Sequence, residues 1–230
     1  MVLHGLQKMT LLDFPGRVAC TVFLGGCDFR CPFCHNFELA DGTAKPFMDD
    51  AALFAFLEKR RGLLDGVAVT GGEPCLHPGL PELLRHIRDM GYAVKLDTNG
   101  AHPLRLEAIL REGLADYVAM DIKNSPEKYA RTAGLEKLDL TPVRRSVDLL
   151  MASPVDYEFR TTVVDELHEA NDFEAIGAWI AGAKRYFLQA FTDRESVPFA
   201  DLHAPSAEKL RAYADVARRF VPDTRLRGVD

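Results

Sequence analysis

No apolar run in this chain approaches the ~20 residues that a membrane-spanning helix needs, so no membrane association is expected. The opening stretch MVLHGLQKMTLLDFPGR has no long apolar core and no small-residue cleavage site. No secretory signal is therefore read, and a cytoplasmic location is the expectation. An excess of positive charge is missing as well. Lys and Arg number 28 against 34 Asp and Glu, a formal net charge of −6, which argues against a broad basic face for nucleic acid. Linkers, low-complexity tracts and internal repeats are absent too. What remains is the make-up of an ordinary globular protein, 47% hydrophobic and 27% charged over 230 residues, long enough to bury a core without a disulfide framework.

Apolar runs alternate with amphipathic stretches along the chain. Strands are expected at Val18–Leu24, Val67–Thr70, Ala93–Asp97, Tyr117–Ile122, Glu158–Val164 and Phe187–Phe191. Their lack of a clean polar alternation predicts burial on both faces. Helices are expected at Ala51–Arg61, Leu80–Met90, Leu104–Glu112, Val143–Met151, Phe173–Ala181 and Ser206–Phe220. Such alternation predicts an α/β fold with a parallel sheet and crossover helices. Periodicity does not decide between a flat sheet and a partial barrel. Polar and glycine-containing clusters, LGGCDF, TGGEP, DTNG and MDIKN, fall at four strand ends, where parallel α/β folds place their ligands.

Only five cysteines are present, and three stand together. Cys20 and Cys75 read as small core residues. Cys27, Cys31 and Cys34 form C-x3-C-x2-C directly after the first expected strand. Clustered thiols in a reducing compartment point to metal binding or catalysis before disulfides, and soft thiolates select zinc or iron–sulfur. A structural zinc site wants four ligands. Nothing nearby supplies a fourth cysteine, which leaves a Cys3His knuckle using His35, or a loop disulfide, as the competing readings. In a [4Fe–4S] cluster three cysteines leave one iron open.

The C-x3-C-x2-C motif, with aromatic Phe33 before its last cysteine, resembles the signature of the radical S-adenosylmethionine (SAM) enzymes. The longer string Asp13-Phe14-Pro15-Gly16-Arg17, a strand, and then CDFRCPFCHN resembles the glycyl-radical-enzyme activating proteins within that superfamily. The likeness is greatest to the branch that activates anaerobic ribonucleoside-triphosphate reductase, related to the activating enzyme of pyruvate formate-lyase. It implies one radical SAM domain over residues 1–230, built as a partial (β/α)6 TIM-like barrel of parallel strands with outer helices. The same resemblance makes Cys27, Cys31 and Cys34 the ligands of one [4Fe–4S] cluster. Residues 37–230 add only Cys75, so no second cluster domain of the kind some activases carry is expected.

At the other strand ends, chemistry and resemblance combine. Gly71-Gly72-Glu73-Pro74 makes a strand-to-helix turn whose glycines allow close approach of a ligand. The resemblance implies that Gly71, Gly72 and Glu73 hold the amino group of SAM. Asp97 and Asp121, at adjoining strand ends, need partners, since an unpaired buried carboxylate is costly. The resemblance implies a monovalent-cation site at Asp97, Thr98 and Asp121, with Asp97 also beside SAM; for Thr98 an N-cap or turn bond is the competing reading. Lys123 is a cation suited to the SAM carboxylate and Arg160 resembles a family arginine near the cofactor, with solvated strand-end charges as the competing reading for both. Phe33 is assigned to adenine and Gln189 to the nucleoside half. Phe191 stands roughly where the pyruvate formate-lyase branch has a histidine. Asp13, Pro15 and Gly16 read from chemistry as a turn, and the resemblance implies that they contact the glycine loop of the partner enzyme.

The activity so implied is reductive cleavage of SAM and removal of a hydrogen atom from a glycine of a glycyl radical enzyme, with a flavodoxin- or ferredoxin-type electron donor. Competing readings are a radical SAM enzyme for a small molecule or RNA base, and a non-enzymatic iron–sulfur or zinc redox sensor. The sensor would not need GGEP, DTNG and MDIK at successive strand ends.

Overall fold

The computed structural model describes residues 1–228. Its main sheet has eight strands: β2 (Gly5–Thr10), β3 (Ala19–Leu24), β5 (Gly66–Gly71), β6 (Ala93–Thr98), β7 (Tyr117–Asp121), β8 (Asp156–Val163), β9 (Tyr186–Ala190) and β10 (Thr224–Arg227). They lie in the order β10-β9-β8-β7-β6-β5-β3-β2. The β2–β3 pair is antiparallel and the other six pairings are parallel. The two edge strands, β2 and β10, do not pair with each other, so the sheet is open, a partial barrel. A small second sheet joins β1 (Val2–Leu3) to β4 (Met48–Asp49).

Helices pack outside the strands: α1 (Phe37–Asp41), α2 (Asp50–Glu58), α3 (Leu80–Asp89), α4 (Pro103–Arg111), α5 (Tyr129–Thr132), α6 (Thr141–Ala152), α7 (Ala170–Trp179) and α8 (Ala207–Arg218). Their starts carry local signals. Asp49 caps α2 by accepting from the Ala52 N–H at 2.8 Å, and Glu169 and Asp172 form a capping box on α7. In α3, Leu80, Leu83, Leu84 and Ile87 recur at helical spacing and are all buried. No described helix is long and apolar enough to cross a membrane.

All six expected strands and all six expected helices are present. The sheet is larger than six strands because β2 and β10 flank the expected set. The six expected strands are largely buried on both faces, as their lack of polar alternation predicts, but the two faces differ in chemistry. Outward residues such as Val22, Val67, Val69, Leu96, Val118, Phe159 and Leu188 join the core under the helices. Many inward residues are small or polar, among them Ala68 on β5, Lys95 and Asp97 on β6, and Glu158, Arg160 and Thr162 on β8, with the aromatic Phe23, Tyr117 and Phe187 beside them. A barrel filled this way places hydrogen-bonding and charged groups on its axis as well as hydrocarbon. Where the strands begin, Phe14 plugs the interior against Tyr117, Ala19 and Ala119. Where they end, the interior opens.

Candidate functional site

At that open end lies a cavity of about 420 Å³, within the ~300–1,000 Å³ typical of small-molecule sites. One wall is the loop after β3. Its base is fixed by backbone bonds to the next strand end: Gly72 N–H to the Leu24 carbonyl and Glu73 N–H to the Gly26 carbonyl, both at 2.8 Å. The His77 Nε2 group meets the Gly25 carbonyl at 2.7 Å. On the far side the Arg30 N–H bonds the Ala133 carbonyl at 2.8 Å. The loop is therefore held at both ends.

Cys27, Cys31 and Cys34 all line the cavity, and all are free thiols. A loop disulfide is thus not formed. Burial pushes the thiol of Cys27 up to about 12 and that of Cys31 up to about 11, and raises Cys34 as well. Protons on these sulfurs must leave when a metal binds. Two donors already face Cys27 Sγ, the Phe29 N–H at 3.4 Å and the Asn99 side-chain amide at 3.7 Å. Among the described residues, no three His, Cys, Asp or Glu side chains converge at single-ion distance. His35 is engaged elsewhere: its Nε2 lies 2.6 Å from the Thr192 carbonyl and its ring stacks on Phe191. Three separated thiols without a fourth ligand suit a multi-iron cluster, whose irons take one thiolate each, better than one zinc ion.

The remaining walls come from the other strand ends. Gly71 and Gly72 present backbone to the cavity, and Phe33 and Gln189 line it, as do Asp97, Thr98, Asp121, Lys123 and Arg160. The acids and bases form one network. Arg160 Nε donates to Asp121, and Arg160 Nη2 reaches Asp97 Oδ2 at 3.2 Å. Lys123 Nζ donates to Asp121 Oδ2 at 2.8 Å, and Lys95 Nζ to Asp97 Oδ1. Burial pushes both carboxyls up, but the Arg160 guanidinium and the lysines outweigh it and hold Asp97 and Asp121 below the usual carboxylate range. Lys123 is shifted upward: burial disfavours its charge, and the Asp121 carboxylate more than compensates.

Two expectations need correction. Glu73 does not line the cavity. It is fully buried behind it, accepting from Cys75 N–H at 2.9 Å, Thr98 Oγ1 at 2.8 Å and Asn99 N–H at 2.6 Å. Burial raises its carboxyl, and these donors only partly offset that. Its role is to join two strand ends. The expected cation site at Asp97, Thr98 and Asp121 is differently arranged: the Thr98 hydroxyl is spent on Glu73, and both carboxylates already carry lysine and arginine partners. Of the Asp13, Pro15 and Gly16 trio, only Asp13 lines the cavity; it accepts from Thr21 Oγ1 at 2.5 Å. Gly16 forms the turn with a φ of +72°.

Sequence reasoning passed over Asn99, Asn36 and Lys95. Asn99 was hidden inside an Asn-Gly turn signal. Asn36, beside the last cysteine, lines the cavity and extends its amide towards the Gly71 carbonyl at 3.5 Å. The period-2 spacing of Lys95 and Asp97 on β6 was the available signal for the lysine.

Comparison with known proteins places this geometry. The family model described as the radical SAM superfamily matches residues 21–175, from β3 into α7. A Methanocaldococcus jannaschii protein named for glycyl-radical enzyme activation is 28% identical over 243 residues, covering 100% of this chain and 97% of that protein. The pyruvate formate-lyase-activating enzyme of Clostridium pasteurianum is 33% identical over 129 residues, and the match spans only 52% of its length and 53% of this chain. Among solved structures, a radical SAM methyltransferase from Sphaerobacter thermophilus superposes with a TM-score of 0.74 at 15% identity, over 95% of this chain and 68% of that one. At that identity the likeness is one of fold.

Proposed function

The chain belongs to the radical SAM superfamily, and on that premise we propose that it is a glycyl-radical-enzyme activating enzyme, one domain over residues 1–230, with anaerobic ribonucleoside-triphosphate reductase as its partner. The observation that carries the reading is the meeting of three thiols, without a fourth ligand, and a lysine–arginine–carboxylate floor in one cavity. Similarity over the full chain to a relative named for glycyl-radical enzyme activation supports the class. The choice of reductase rests on the DFPGR loop and on Phe191, which is buried and stacked on His35 where the pyruvate formate-lyase branch carries a histidine.

In this reading Cys27, Cys31 and Cys34 hold a [4Fe–4S] cluster. Bound cluster and SAM supply the one-electron chemistry that ends in loss of a hydrogen atom from a glycine Cα. The protein binds and orients. Backbone at Gly71 and Gly72 receives the amino group of SAM, and Lys123 and Arg160 receive its carboxylate while Asp97 and Asp121 fix their positions. Phe33 and Gln189 flank the nucleoside. Glu73 works from behind, locking the two strand ends at the spacing the ligand needs. Asp13 faces the cavity from a loop whose preceding residue, Leu12, is 90% exposed, an apolar contact for an incoming protein segment. A flavodoxin- or ferredoxin-type protein is the electron donor.

The test is to incubate the anaerobically reconstituted protein, SAM and a reductant with anaerobic ribonucleoside-triphosphate reductase and record EPR spectra. A glycine-centred doublet is expected. Its absence there, with a doublet on pyruvate formate-lyase, would reassign the partner; its absence on both would remove the activase reading.

A further inference from the structure

Beneath the cavity floor lies a buried ammonium group. Lys95 stands in the middle of β6, on the inward face with Asp97, and only 3% of its side chain is exposed. Parallel pairing sets Ala68 of β5 on one side of it and Tyr117 of β7 on the other. The small Ala68, with Ala119 one layer higher beside Asp97, leaves room for the four-carbon stem. Lys95 does not line the cavity, whereas Asp97 does. Its Nζ has a single hydrogen-bond acceptor among the described residues, Asp97 Oδ1.

The charges are matched within the chain. Asp97 is shared between Lys95 and Arg160, and Asp121 between Arg160 and Lys123. Three cations therefore face two carboxylates, a local excess of one positive charge. In the SAM reading Arg160 and Lys123 also face the ligand carboxylate, so without Lys95 three carboxylates would share two cations and require an external one. Lys95 is placed to remove that requirement, because it neutralises Asp97 from below and leaves the cavity side clear for a ligand.

We infer that Lys95 is a positioning residue, the built-in counter-cation of Asp97, which lets the SAM site operate without a bound inorganic cation. The inference rests on the reading of this cavity as a SAM site. It differs from the cation-site expectation in its consequence: SAM binding is indifferent to the salt cation, and becomes dependent on it when Lys95 is lost.

Equilibrium dialysis of labelled SAM against the reconstituted holoprotein, with choline, sodium or potassium as the only salt cation, tests this. Wild-type protein should bind with the same affinity in all three, within about twofold. Lys95→Met should bind about tenfold more weakly in choline and recover in sodium or potassium, a rescue that a merely structural lysine would not produce. Tighter binding by wild type in sodium or potassium than in choline would overturn the inference and leave the SAM reading intact. So would a Lys95→Met protein that binds normally in choline, or one weakened equally in every salt. Absence of wild-type binding in all salts would overturn the SAM reading and the inference together. The wild-type comparison decides even where Lys95→Met does not fold.

Discussion

The buried carboxylate of Glu73 accepts a hydrogen bond from the backbone N–H of Asn99 at 2.6 Å, and this contact ties the end of β5 to the end of β6. The same side chain takes the Thr98 hydroxyl, while the Asn99 amide reaches Cys27 Sγ. One glutamate behind the cavity thus sets the spacing of the walls in front of it. Replacing it by glutamine swaps one acceptor oxygen for an NH2 group facing donors. A loss of about 2 kcal/mol is expected, in the range for buried hydrogen bonds to a charged group. Urea denaturation of the metal-free protein measures it, and an unchanged midpoint would refute the role.

Gly72 is where the strand end meets the cysteine loop. A Cβ there would collide with the carbonyl oxygen of Gly26, one residue before the first cysteine. The neighbouring Gly71 has a φ of +128° and would collide with Leu24 backbone. Gly72→Ala should therefore displace the cysteine loop and lower iron incorporation during reconstitution, with a stability cost of at least about 2 kcal/mol. Iron per protein and the denaturation midpoint are the two readings. Full iron loading at unchanged stability would contradict the close packing described.

The Asp97–Arg160–Asp121 network gives a signed pH dependence. Both carboxyls lie below their unfolded values, so their contribution is fully present above about pH 4 and is lost as pH falls through the folded values. Arg160→Leu should cost about 3 kcal/mol at pH 7, as breaking a largely buried ion pair does. That deficit should be full at pH 7 and 5, begin to shrink near pH 3 and shrink further below it, as wild type approaches the folded values. Denaturation curves at pH 7, 5 and 3 check this; a deficit independent of pH would exclude the pairing as its origin.

Within the barrel interior, Arg227 on β10 grips the buried Glu158 on β8 through two bonds, at 2.7 and 2.9 Å, and Tyr117 donates to the same carboxylate at 2.7 Å. Arg227→Ala leaves that carboxylate short of its cation. A destabilisation of about 2 kcal/mol is expected, discounted for the partial exposure of Arg227. Arg227→Lys, which keeps the charge, should recover part of it by thermal denaturation. An equal loss in both variants would assign the effect to packing on Phe187, over whose ring Arg227 lies.

Much of this molecule is legible in its sequence, and the illegible parts share a cause. The six inner strands announce themselves through valine, leucine and phenylalanine facing the helices. β2, GLQKMT, does not, because it is a sheet edge with three consecutive exposed residues and few apolar positions. β10, TRLR, is four residues long and rests on an arginine rather than on hydrocarbon. The cysteines, the glycines and the strand-end acids are recognisable because their residue types are rare in a core. Lys95, Asn99 and the true place of Glu73 are not, since each depends on which neighbour a side chain meets across the sheet. The family resemblance places Glu73 at the ligand with Gly71 and Gly72, whereas its side chain lies buried behind the cavity that those glycines line.

The central claim is that Cys27, Cys31 and Cys34 hold a cluster at which SAM is cleaved. It is tested most directly by quantifying 5′-deoxyadenosine after anaerobic reconstitution with iron and sulfide and addition of dithionite and SAM, for wild type and Cys31→Ala side by side. Product from wild type and none above background from the variant is the predicted result. No product from an iron-loaded wild type, or equal product from both proteins, would contradict it.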